Sequence, residues 1–103
     1  MSLTERQKKH LRGLAHPLHP IVMVGSNSDS EEKLAAITKE MDGALNAHEL
    51  IKVSVRVGDR EMRDEIFDEL EKRTTSEFVT RIGNIGVFYR ARKDKPKIVL
   101  PDN

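Results

Sequence analysis

The sequence predicts an α/β fold of element order α-β-α-β-α-β-β, built on a mixed four-stranded sheet with helices on one face. Three observations carry this. Apolar stretches of strand length alternate with stretches of helical period. Two of those strands, over 21–24 and 51–57, are separated by a helix, which calls for a parallel strand-helix-strand crossover. The third is Gly83-Asn84, which parts two strand-like runs in the manner of an antiparallel hairpin. Such crossovers are right-handed, so the second and third helices fall on one face and leave the other for function. A chain of 103 residues has room for one core, and 1–103 reads as one domain whose last residues, 92–103, form a basic tail.

Taken in order, Thr4 with Gln7 is a capping-box pattern that opens a first helix of about ten residues, with Leu11 and Leu14 on one side. His16-Pro17 and His19-Pro20 end it, because a residue before proline is pushed out of the helical region. Ile21-Val22-Met23-Val24 is a continuous apolar run, suited to a buried strand. A second helix begins near 28–30, where each serine is a competent N-cap. Its core stripe is Leu34, Ile37, Met41, Ala44 and Leu45. The next strand alternates strictly. Ile51, Val53, Val55 and Val57 point one way and Lys52, Ser54 and Arg56 the other, which predicts an open basic face. Gly58-Asp59 caps a third helix with the stripe Met62, Ile66, Phe67 and Leu70. Strands over 78–82 and 85–90 complete the hairpin. Gly86 leaves its register open, since it either lengthens the loop or marks a bulge, and the choice decides the faces of Arg81 and Arg90.

Charge follows the same segmentation. Residues 1–28 carry four bases against one acid, 29–49 two against six, 50–58 two bases alone, 59–77 four against eight, and 78–103 six against two. A net charge of +1 therefore conceals basic ends and acidic helices, a layout that keeps phosphates on one surface. No apolar run approaches the roughly 20 residues of a membrane helix. With no cysteine and no basic-then-apolar leader, the expectation is a soluble cytoplasmic protein without disulfides.

The junction over 19–32 is the most informative stretch. Strand 21–24 breaks at Gly25-Ser26-Asn27-Ser28 and runs straight into a helix. A helix start leaves about four N–H groups unpaired and carries partial positive charge, so it suits a phosphate of single-stranded or irregular RNA. Candidate RNA contacts are Gly25, Ser26, Asn27 and Ser28, with Lys8, Lys9, Arg12, Lys52, Arg56, Arg81 and Arg90 as phosphate partners, and Arg92 and Lys93 beside them. Solvated surface is the plainer reading for any single cation; the cluster carries more weight than its members. Tyr89 is a minor stacking candidate, and four aromatics are too few for a stacking platform. His10, His16, His19 and His48 lack ligand spacing, so no metal or cofactor is expected. His48-Glu49 reads as a helix end whose imidazole satisfies the last carbonyls. No nucleophile sits beside an evident base, and the Gly-x-Ser-x-Gly and Walker loop patterns are absent, so no enzyme activity is expected.

Several segments together carry a family likeness. Leu-Arg-Gly-Leu-Ala-His at 11–16, Pro-Ile-Val-Met-Val-Gly at 20–25, His-Glu-Leu-Ile-Lys-Val at 48–53, Ile82-Gly83, Val-Phe-Tyr-Arg at 87–90 and Lys-Ile-Val-Leu-Pro at 97–101 resemble the CRM RNA-binding domain. The resemblance is to its stand-alone bacterial YhbY type and reaches nearly the whole chain. It implies a fold similar to the C-terminal domain of translation initiation factor 3 and a G-x-x-G loop used as in KH domains. It also implies association with precursors of the large ribosomal subunit; in plants, related domains act in intron splicing. The family loop usually reads Gly-Lys-Asn-Gly, whereas here a serine replaces both the lysine and the second glycine, and Asp29 follows. Ser28 loses the tolerance of positive φ that glycine has, and Asp29 adds charge of the wrong sign. More of the affinity should then fall on side-chain cations.

These readings converge on an RNA-binding protein, monomeric and not membrane-bound, that holds ribosomal RNA in large-subunit precursors and assists their assembly. The competing class is a protein-interaction module whose acidic helices contact a basic ribosomal protein or assembly factor.

Overall fold

The computed structural model describes residues 2–25 and 30–102. Seven elements follow in the expected order: α1 (Glu5–Ala15), β1 (Val22–Val24), α2 (Glu31–His48), β2 (Leu50–Val55), α3 (Arg60–Thr74), β3 (Glu77–Ile82) and β4 (Ile85–Tyr89). The strands lie in the order β1-β2-β4-β3, with β1 parallel to β2 and the other pairs antiparallel. Local chemistry sets each helix start. The Thr4 hydroxyl accepts from Gln7 N–H while the Gln7 side chain accepts from Thr4 N–H, closing the capping box. Ser30 caps α2 and Asp59 caps α3 by the same kind of bond to the third residue on.

The hairpin closes on Gly83-Asn84 alone, with Ile82 opposite Ile85 and Gly83 at φ +62°. The bulge falls on β3 between Phe78 and Thr80, not at Gly86. Gly86 instead lies inside β4 beneath a cluster of three rings, in which Phe67, Phe78 and Phe88 have centroids 5.3–6.1 Å apart. A Cβ there would sit 2.7 Å from the Phe67 ring and 3.0 Å from that of Phe78. The glycine is needed for close approach.

Alternation along the strands divides the apolar residues into two cores. Val22, Val24, Val53 and Val55 face Ile37, Met41 and Leu45 of α2 and Phe67 and Leu70 of α3. Both crossover helices thus share a face, as their handedness requires. The second face differs from the sequence expectation. All six residues of β2 are buried, because α1 lies across that side and packs Leu11 and Ala15 on Leu50, Val79, Val87 and Tyr89. Ile98 and Leu100, from a C-terminal segment without regular structure, join the same cluster. Two residues assigned to core stripes lie outside them. Leu14 is 41% exposed because Ala15 takes the inward position beside Leu11, and Met62 is 45% exposed, its sulfur packed over Gly58.

The C-terminal segment is held by Glu49, a residue whose role periodicity did not reveal. Glu49 caps α2 at φ +66° and is fully buried. Its carboxylate accepts three backbone N–H groups, from Arg92 at 2.8 Å, Lys97 at 2.7 Å and Ile98 at 2.9 Å. Its carbonyl accepts from Arg90 N–H as well. Gln7 adds a second tie from α1 by donating to the Pro101 carbonyl. Burial pushes the Glu49 carboxyl up, but the three N–H donors and the Arg92 charge together outweigh it, and its pKa lies below the usual value.

Two outcomes follow from this packing. Gly86→Ala forces a methyl into the ring cluster and should cost about 1–3 kcal/mol in urea unfolding. Glu49, with its pKa depressed in the folded state, contributes stability that is present above its unfolded pKa of about 4.3 and is lost as pH falls through the lower folded value. Glu49→Gln should therefore cost about 2 kcal/mol near neutral pH and flatten the acid limb of a stability-against-pH profile. An acid limb as steep as that of the parent would place the titration elsewhere.

Candidate nucleic-acid interface

β1 and β2 are parallel and paired as Val24↔Val55, so both end at the same edge of the sheet. Gly25 follows β1 there and Arg56 follows β2, its N–H donating to the Val24 carbonyl at 2.9 Å. The helices α2 and α3 both begin beyond this edge, and the Gly83-Asn84 turn lies at it, since the Asn84 carbonyl accepts from Val55 N–H. Ser26, Asn27 and Ser28 lie outside the described residues.

The candidate cations fall into two groups. Lys52 is buried, and its ammonium donates to the Leu18 carbonyl at 3.0 Å and to that of His16 at 3.4 Å. It ties the turn after α1 to the middle of β2. Arg81 lies opposite Gly86, on the face of α3, where it pairs with Asp64 at 3.0 Å and donates to the Gly83 carbonyl. Arg90 joins the ends of α2 and α3 by donating to Asp42, Asn46 and the Thr74 carbonyl. It lies at the opposite end of the sheet from Gly25 and Arg56. By contrast, the side chains of Lys8, Lys9, Arg12 and Arg56 have no hydrogen-bond or ion-pair partner among the described residues. Lys9, Arg12 and Arg56 are exposed and Lys8 is half-buried.

These free cations belong to one side of the molecule. By the alternation of β2, Arg56 shares its face with Lys52, the face that α1 crosses. Beside α1 runs the end of the C-terminal segment, Ile98 to Pro101, whereas Arg92 and Lys93 line an opening with Asp42, Asn46, Thr74 and Arg90 at the ends of α2 and α3. Acids gather on the other side, on α2 and α3, where many are already matched. Arg73 makes a bidentate pair with Glu31 at 2.7 Å and also holds Glu69. Lys72 pairs with Asp68, and Asp64 with both Arg60 and Arg81. The Arg73 hydrogen bonds hold the Glu31 carboxyl below its ordinary pKa.

Other sequence candidates are placed differently. Tyr89 is buried in the second core, where burial first and the Glu49 charge second raise its phenol pKa, so its ring has no free face for a base. His48 is exposed, and the Leu45 carbonyl is satisfied by Glu49 N–H instead of the imidazole. Glu49 was missed as an anchor. An acid set between apolar Leu45 and Leu50-Ile51, at the start of a buried strand, was the available signal.

A mixed sheet with two helices on one face and a basic helix on the other defines the class as an α/β domain whose α1 face carries the positive charge that nucleic-acid binding calls for. The chain belongs to the CRS1/YhbY (CRM) domain family, whose sequence pattern it matches over residues 3–90. It is 44% identical over 100 residues to a Haemophilus influenzae protein named as RNA-binding, covering 97% of this chain and 96% of that one. It is 38% identical over 99 residues to the Bacillus subtilis protein YqeI, named a probable RNA-binding protein, covering 96% and 99%. The solution structure of a Staphylococcus aureus protein described as a candidate RNA binder superimposes with a TM-score of 0.79 at 37% identity, over 96% of this chain and 99% of that chain. No helix among the described residues is long and apolar enough to cross a membrane.

Lys52 tests the division of the cations. Lys52→Met leaves two carbonyls without their donor and should lower stability by about 1–2 kcal/mol in thermal unfolding. An unchanged stability would return Lys52 to the set of free cations.

Proposed function

We propose that this protein is a non-enzymatic RNA-binding protein that holds ribosomal RNA in precursors of the large ribosomal subunit and assists their assembly in the cytoplasm. The observation that carries the reading is charge segregation. The basic helix α1 covers one face of the sheet, with residues 98–101 of the C-terminal segment beside it, and the acidic helices α2 and α3 cover the other. Lys8, Lys9, Arg12 and Arg56 are the proposed phosphate contacts, since their charges are unspent. Gly25 and the loop after it, Ser26 to Ser28, add a weaker contact, because the loop lacks the family's lysine and second glycine. Lys52, Arg81 and Arg90 support this face by holding α1, the hairpin and the helix ends in place. Such contacts grip the backbone and respond to RNA shape more than to sequence. The competing reading, a module that presents acidic helices to a basic protein, has less support, because many acids of α3 already hold local cations.

Salt dependence tests the phosphate contacts. Lys9→Glu with Arg12→Glu should weaken RNA binding at least tenfold and reduce the slope of log affinity against log salt by about 0.7–0.9 for each phosphate no longer neutralised. Glu65→Lys, an exposed change on α3, should not weaken binding. The opposite pattern would favour the protein-interaction module. Sedimentation of lysates through a sucrose gradient tests the ribosomal assignment. The parent should travel with large-subunit precursors and the double variant should stay with free proteins; a parent that stays at the top would remove the ribosomal role while leaving RNA binding open to direct titration.

A further inference from the structure

An apolar groove of about 430 Å³ opens on the basic face, at the place where β1 is too short to cover β2. The parallel register begins at Val22↔Val53, and the last link at this end is Ile21 N–H to the Lys52 carbonyl. Leu50 therefore has no neighbour from β1. Lys52 and Arg56 direct their backbone groups toward β1, whereas Glu49 and Val55 direct theirs toward β4. By that alternation the N–H and C=O of Leu50 point to the uncovered side. The walls around this opening are apolar, with Leu14 from α1, Leu18 and Ile21 from the linker, and Ile98 from the C-terminal segment. Leu14, Leu18 and Ile21 are 41%, 38% and 46% exposed, so the groove is open to solvent.

Charge and size select its occupant. His19 and His48 also line the groove, and Leu14 is shared with an adjoining depression lined by Arg6, Lys9 and His10. No aspartate or glutamate lines either cavity among the described residues, so the pair of cavities is complementary to a group with an apolar part and a negatively charged part. A β-strand from a partner would need a run of free edge, yet only one residue of β2 is uncovered here. One donor and one acceptor side by side match the edge of a single nucleobase.

We propose that this groove receives one unpaired base of a bound RNA strand, read by the backbone of Leu50 and packed between Leu14, Leu18 and Ile21, while the adjoining phosphates rest on Arg6 and Lys9. This rests on the RNA-binding reading and adds to it a preference for single-stranded segments, since a base inside a duplex is not free to enter an apolar groove. His19 and His48 line the same groove, and imidazoles stack on unpaired bases in single-strand sites.

The test compares the parent with the neutral double variant Leu14→Gln/Leu18→Gln, on a short oligouridylate and on a blunt-ended RNA duplex of equal length, with thermal unfolding to confirm the variant fold. The expected result is a loss of about tenfold on the single strand and no change on the duplex. A 5-iodouridine oligonucleotide should crosslink to the peptide containing His19 or that containing His48. Equal losses on both RNAs, or none on the single strand, would overturn the base site while leaving general RNA binding intact. Crosslinks confined to other segments would do the same and assign the groove to an acidic protein partner. If the parent binds neither RNA, the RNA-binding reading itself fails, and the base site with it.

Discussion

The Glu49 carboxylate is the contact on which the arrangement of the basic face depends. A fully buried acid is costly unless its charge is matched by donors, and here three backbone N–H groups from the C-terminal segment supply them. The cost of burial and the placement of the tail are therefore one event. Because the segment has no helix or strand of its own to define its path, the position of Lys97, Ile98 and Leu100 follows from this acceptor, from Gln7 and from the apolar contacts beneath. Without it, the second core would lose one of its sides.

That second core gives the molecule its polarity. A four-stranded sheet with two helices on one face has an apolar surface left over unless something covers it. Here α1 covers it with Leu11 and Ala15, and the same helix carries four bases against one acid on its remaining surface. One element thus closes the fold and carries the charge. The division of labour among the arginines and lysines follows the same logic. Those with acids or carbonyls within reach, Lys52, Arg81 and Arg90, hold elements together, and those on solvent faces remain available to an anion. Formal charge on its own does not distinguish the two sets.

The gap at Leu50 has a related origin. β1 has three residues and β2 six, so a parallel pair with this register leaves the start of β2 without a neighbour on the β1 side. The linker between α1 and β1 borders this gap through Leu18, His19 and Ile21. What results is a place on the basic face where apolar walls and backbone polar groups meet.

Element order, helix caps and the crossover face were legible in the sequence, because each rests on neighbours a few residues apart: Thr4 with Gln7, the 3.6-residue stripe of α2, the alternation of β2, Gly83-Asn84. The charge division was legible for the same reason, since acids and bases are grouped by element. The register of the hairpin was not, because Gly86 is explained only by Phe67, which lies nineteen positions earlier and meets it across the sheet. Nor were the burial of Lys52 or the role of Glu49, each set by a segment distant in the chain. Periodicity identifies the faces an element has, but it does not say which other element will cover them. The sequence by itself determined the elements, their order and their charge. Only the tertiary structure decided which element covered the second face of the sheet, which cations stayed free and where the C-terminal segment came to rest, because burial and hydrogen-bond satisfaction are properties of contacts between segments far apart in sequence.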